Sequence, residues 1–263
     1  MKKRLLILLL VLLLPAAQAH EGNDAYDPLG MWRVVGFGVI ILALFALDAL
    51  CFSHHISEFR KKVLFIATAA CVLAVTAYIV GSTVLLNIAS STQGPVHWHA
   101  DYEIWDCGQR MELVDPTGLS NRIGSSSFHE HNDDRIHVEG PVMSPENTNL
   151  QEFFSVVGGE LSQDAIRIPA QGGMVERANG QDCDGQPAVL QAFLLRVLNP
   201  DDRNGWLYSQ QKLDDFAQYV LAPQEQVPPG DCIIIEFGPE KGRTEHLCET
   251  YRVAKERGEL NGG

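Results

Sequence analysis

The chain has 263 residues, 46% of them hydrophobic, and a formal net charge of −13. A surplus of acid on this scale excludes nucleic acid as a partner and excludes a polybasic patch for a membrane surface. It leaves the fold open.

The chain begins MKKRLLILLLVLLLPAAQAH: a basic stretch at residues 2–4, an apolar run at 5–14, and small residues at Ala17 and Ala19. This is the layout of a secretory signal peptide over residues 1–19, and the run is short for a bilayer. Residues 20–33 follow as a short extracytoplasmic segment, with Tyr26 and Trp32 suited to the interface. Apolar runs at 34–52 and 63–88 each reach the ~20 residues that a bilayer demands. The intervening residues 53–62 contain Arg60, Lys61 and Lys62, whereas no Lys or Arg follows the second run until Arg110. The positive-inside rule places that loop in the cytoplasm and both flanks outside. The expected architecture is a two-helix transmembrane hairpin in the cell membrane (multi-pass), its partners the lipid bilayer and a candidate second membrane subunit. Asp48, near the inner end of the first span, is read with an anchor rather than an ion pathway, a two-helix hairpin being thin for a channel.

Residues 92–263 form the extracytoplasmic domain, long enough for its own core. It holds Cys107, Cys183, Cys232 and Cys248. An even number in an oxidising compartment points to two disulfides out of three pairings, with Cys107–Cys183 and Cys232–Cys248 favoured. The alternative is a thiolate ligating a soft metal. Cys51 and Cys71 lie in the spans as small apolar filler.

Within this domain VHWHADYEIW alternates in period two, the signature of a strand, and a turn at Cys107-Gly108 leads to a second strand. FHEHNDDRIHVEG offers two extended pieces around an Asn132-Asp133-Asp134 turn. A helix is expected from about Asn149, with Leu150, Phe153, Phe154 and Val157 on one stripe and Gly158-Gly159 as the stop. AVLQAFLLRVL reads as a buried strand, with a helix as the alternative, and QQKLDDFAQYVL as a short helix or an irregular segment. DCIIIEF is the clearest late strand, and residues 241–260 are expected to include a terminal helix. The fold class is α+β: a β-rich domain with short helices and a mixed or antiparallel sheet.

Five of the nine histidines fall in two short segments. Residues i and i+2 of a strand share a face, so His97 pairs with His99, His129 with His131, and His137 with Glu139. Three neighbouring strands presenting these pairs would converge six donors on one site. Zinc or copper needs three or four such nitrogen and oxygen donors at about 2.0–2.2 Å. Asp101, Glu103 and Asp133 are candidate acceptors for the far N–H of a ligating imidazole. The competing explanation is a solvated strand face using histidine as an ordinary polar residue. Met111, Met143 and Met174 are read as core rather than thioether ligands. A copper brace at His20 after cleavage is the less favoured alternative.

Three known arrangements fit only in part. Metallo-β-lactamase-type hydrolases use H-x-H-x-D-H, but the last histidine is replaced here by Tyr102 or Asp134. His97, His99 and Glu103 match a cupin fragment, but Ser91 stands where the upstream glycine belongs. Amidohydrolases need a barrel larger than this domain. The order His97-Trp-His99, then His129-Glu-His131-Asn-Asp133, then Ile136-His-Val-Glu139, then NLQEFFSVVGG, then the strand from Gly230 to Gly238, resembles a family of membrane-anchored extracytoplasmic domains of bacteria and archaea. The resemblance covers most of residues 95–240, with Cys107-Gly108 where that family carries Asn-Gly. It implies the domain boundaries and the histidine site, and names no reaction.

The leading expectation is a membrane-anchored extracytoplasmic protein that binds copper or zinc through His97, His99, His129, His131, His137 and Glu139, for metal handling or sensing. The alternatives are a metal-dependent enzyme, with Glu139 or Glu103 as general base, and a structural or assembly module stapled by its metal.

Overall fold

The computed structural model describes residues 29–52, 56–119, 121–200, 202, 205–221 and 230–262. The expected signal peptide at residues 1–19, His20, Tyr26 and the start of the loop at 53–62 lie outside the described residues. The chain divides into two compact units, residues 1–89 and 90–263.

In the first unit, α1 (Met31–Cys51) and α2 (Glu58–Ala89) are both long and apolar enough to cross a membrane. They extend past the apolar runs because Glu58, Arg60 and Lys61 are themselves good helix formers and continue the backbone ladder. The helices pack closely at Gly38, where a Cβ would lie 2.7 Å from Val75. Asp48 accepts a hydrogen bond from Arg60, so the acid in the apolar stretch is paired across the hairpin.

The second unit is β-rich. Its main sheet contains β1 (Pro95–Asp106), β2 (Gln109–Met111), β3 (Ile123–Gly124), β4 (Phe128–Glu130) and β5 (Arg135–Pro141). A second group, β6 (Glu160–Leu161), β7 (Ala165–Ala170) and β8 (Gly173–Ala178), forms a three-stranded sheet. β9 (Asp182–Cys183) and β10 (Gln186–Pro187) make a small ribbon. β11 (Val189–Val197), β12 (Trp206–Leu213), β13 (Asp231–Gly238) and β14 (Leu260–Gly262) complete the main sheet. Its order is β14-β12-β11-β13-β1-β5-β4-β3, with β2 hairpinned onto β1. β1 runs parallel to β13 and antiparallel to β5, so the sheet is mixed.

The alternation of β1 decides what each face buries. Ala100, Tyr102 and Ile104 join Ile233, Ile235, Phe237, Phe128, Ile136 and Val138 in the larger core. The short helix α3 (Leu150–Val156) covers this face with Leu150, Phe153 and Phe154. It starts at Asn149, whose side chain accepts from the Glu152 amide at 2.8 Å and so satisfies a free N-terminal donor. On the opposite face, Tyr251 and Ala254 of α4 (Glu249–Glu256) cluster with Phe193, Leu195, Cys232 and Ile234.

Cys107 pairs with Cys183 and Cys232 with Cys248. The first ties the β1–β2 turn to β9; the second ties β13 to the residue preceding α4. Cys107 and Gly108 both have positive φ, 49° and 77°, as a two-residue hairpin turn requires.

One expectation, a short helix or an irregular segment at QQKLDDFAQYVL, is corrected in its first part. QQKL belongs to β12, paired antiparallel with β11, and DDFAQYV after it is irregular. β12 is half exposed, so its polar side chains hide the strand pattern. The β6–β8 sheet, including the AIRIPAQGGMVERA hairpin, has no counterpart in the reading of the sequence.

Phe153 is fully buried and its ring lies 5.3 Å from that of Tyr102 and 5.6 Å from that of Phe128. Phe153→Ala should destabilise the β-rich unit by about 3–5 kcal/mol, read as a lowered urea midpoint of the full chain in detergent. A loss below about 1 kcal/mol would contradict this packing.

Candidate metal centre

The histidines line up because of strand register. His99 of β1 pairs directly with His137 of β5, and His137 pairs with His129 of β4. One step along the sheet, His97 pairs with Glu139. Directly paired residues share a face, so these side chains stand on the face opposite Ala100 and Tyr102. His131 follows β4 by one residue and adds a fifth ring.

His137 is the hub. Its ring centroid lies 4.6 Å from that of His99, 6.4 Å from His97, 5.4 Å from His129 and 4.8 Å from His131. Two groups have donor atoms all within 4.8 Å of one another: His97, His99 and His137, and His129, His131 and His137. The cluster grades from buried to exposed. His129 and His137 are buried, His99 and His131 intermediate, and the side chain of His97 is 59% exposed.

Hydrogen bonds fix which nitrogens are available. Asp133 Oδ2 lies 3.1 Å from His137 Nε2, and an ionised carboxylate only accepts, so Nε2 carries the proton. The lone pair is then on Nδ1, which is buried without a hydrogen-bond partner, as is Nδ1 of His129. The backbone carbonyl of Asn121 meets His131 Nδ1, which places that proton on Nδ1 and frees Nε2. Glu139 Oε1 lies 3.3 Å from His97 Nε2. Buried imidazole nitrogens with free lone pairs, backed by carboxylate and carbonyl acceptors, form a donor set that can hold a metal ion.

Of the three expected acceptors, only Asp133 serves a histidine. Asp101 instead accepts from Arg135 Nε at 2.8 Å and from Thr250 of α4. Glu103 accepts from Trp105 Nε1 at 3.0 Å, with Arg252 3.5 Å away. The reason is length: a strand advances about 3.3 Å per residue, so Glu103 sits roughly 13 Å along β1 from His99. Met111 packs against the larger core across the sheet, while Met143 and Met174 are exposed.

Two supporting residues have no signature in the sequence reading. Gly124 has φ 106° and pairs with His129; a Cβ there would lie 2.6 Å from the Phe128 carbonyl oxygen and 3.0 Å from His129 Cα. Asn121 acts through its backbone, to which side-chain chemistry gives no clue. A glycine two residues after SNR, and five before the first histidine of an H-x-H, was the available signal.

No family model matches the chain, and neither a curated protein nor a solved structure matches it. The site therefore stands on its geometry.

Burial, ahead of the neighbouring His137, pulls the His99 imidazole down from 6.5 to about 4. Burial does the same to His129, also to about 4. For Asp133 burial works upward and is the largest single effect, but the hydrogen bond from His137 and the charges of His137, Arg135 and His131 together outweigh it and hold the carboxyl below its ordinary value. His99 and His129 thus bind fewer protons folded than unfolded between pH 6.5 and 4, so stability is full above that window and falls as pH falls through it. With metal chelated, the melting temperature should decline from pH 6.5 to 5, and less steeply in His129→Gln. A flat profile in both proteins would contradict the burial of neutral imidazoles.

Proposed function

We propose that this chain is a membrane-anchored protein whose β-rich unit binds copper or zinc outside the cytoplasm, for metal handling or sensing. The observation carrying this reading is the histidine row itself: five imidazoles from β1, β5 and the β4 segment, with buried and unpartnered Nδ1 atoms at its centre. His97, His99, His129, His131, His137 and Glu139 are the proposed ligands. The metal supplies a positive centre for these lone pairs, and imidazole with carboxylate suits a borderline divalent ion.

The membrane anchor is supported by two helices that expose Phe37, Leu44, Phe65, Leu73 and Leu85. The basic cluster Arg60, Lys61 and Lys62 between the spans favours a cytoplasmic loop. Two disulfides favour an oxidising location for the β-rich unit.

Handling is preferred over turnover for two reasons. The row stands on a sheet face, with His97 largely exposed. A cleft of about 780 Å³ in this unit is lined by Glu152, Arg167, Glu176 and Arg177 among others, and by none of the histidines. Of the two candidate general bases, Glu103 is engaged by Trp105 and Arg252, which leaves Glu139.

The test is metal content of the full chain in detergent micelles, loaded with zinc or copper(II), desalted and analysed by mass spectrometry. Retained metal that falls by at least tenfold in His137→Ala supports the reading. Metal content and melting temperature that match the His97→Ala/His131→Ala variant would overturn it. Chelation that unfolds the unit outright would favour a structural role instead.

A further inference from the structure

We propose that the histidine row holds two metal ions, one on each side of His137. The proposal rests on the metal-binding reading above and concerns how the donors divide.

Donors on one zinc or copper ion lie about 2.0–2.1 Å from it, hence within about 4 Å of each other. β1 and β4 are separated by the whole of β5, two strand spacings of about 4.8 Å. Among the described residues, the groups whose donor atoms come within 4.8 Å of one another, close to that spacing, each contain His137 and histidines from one side only. His97 and His99 close on His137 from β1; His129 and His131 close on it from β4. Among the described residues, the ring contacts between the two sides also pass through His137.

Two carboxylates flank the row, and each faces histidines of both sides: Glu139 faces His97 and His129, and Asp133 faces His137 and His99. Glu139 lies against His97 on the β1 side. Asp133 lies against His137 in the turn that follows His131. Each ion would therefore meet two private histidines, and His137, whose one free lone pair is on Nδ1, would complete the set of only one of them. Two divalent ions in close proximity repel, and Asp133 and Glu139 beside the row supply negative charge against that repulsion.

The two positions differ in readiness. The rings of His97, His99 and His137 stand at 65°, 82° and 46° to one another, so the planes that hold their lone pairs cross. His129 instead lies stacked on His137, at an interplanar angle of 3°, so the lone pairs of that pair lie in parallel planes that do not meet. The second side must turn His129 before its donors converge. The β1 side fills first and more tightly.

The full chain in detergent micelles, stripped with chelator, is titrated with zinc and analysed after desalting at saturating load. The wild-type chain should retain two zinc ions, with two binding steps separated by at least tenfold in affinity. His97→Ala/His99→Ala should keep one ion, bound at the weaker step. His129→Ala/His131→Ala should keep one ion, bound at the tighter step. One ion in wild type, lost in both paired variants, overturns the two-ion arrangement and leaves the metal-binding reading intact. Zero ions in wild type overturns both, as do two ions retained unchanged in both variants. The wild-type count stands whether or not a variant folds, and circular dichroism identifies any variant that does not.

Discussion

A slip of one residue in the pairing of β1 with β5 would turn His97 and His99 into the core and put Val96, Trp98 and Ala100 on the opposite face. The observed register sets His99 against His137, and the buried run Ala100, Tyr102 and Ile104 holds it there. Everything chemical on this face follows from that pairing. β4 extends the row by setting His129 against His137, and Gly124 allows β3 to close on β4 at that point. The same strand β1 thus carries core and site on alternate residues. Damage to the apolar face is therefore damage to the histidine face.

Burial gives the row its chemical character. Protonated imidazoles would be poor neighbours so close together, and burial keeps His99 and His129 neutral near physiological pH. Neutral imidazoles are ligands as they stand. The cost is two buried Nδ1 atoms without hydrogen-bond partners, each unfavourable by about 1–3 kcal/mol. A bound metal ion would offset that cost, and no hydrogen-bond donor among the described residues does. On the same face, Asp101 links Arg135 of β5 to Thr250 of α4, so the terminal helix is tied to the edge of the row. The Cys232–Cys248 bridge secures the same N-terminal end of that helix.

Much of this was legible in local pattern. Period-two alternation in VHWHADYEIW gave β1 and the sharing of a face by His97 and His99. The echo at His129 and His131 and the I-H-V-E segment gave the other donors, and the runs of apolar residues gave both long helices to within a few positions. What stayed hidden was non-local. No spacing in the chain states that β5 lies between β1 and β4, so the central place of His137 emerges only from the sheet order. Asp101 and Glu103 looked like partners of the histidines because they share their face, but distance along an extended strand takes them to Thr250 and Trp105 instead. The Asn121 carbonyl acts through backbone, and β12 escaped notice because a half-exposed strand tolerates Gln and Lys.

The central claim is that imidazoles arranged by this register, and not the cysteines, hold a metal. X-ray absorption at the zinc edge, on the loaded full chain, reads the ligand shell directly. The account predicts nitrogen or oxygen neighbours at about 2.0–2.1 Å, with the outer-shell scattering of imidazole rings and no sulfur shell. A sulfur shell near 2.3 Å, or a shell without imidazole scattering, would contradict it.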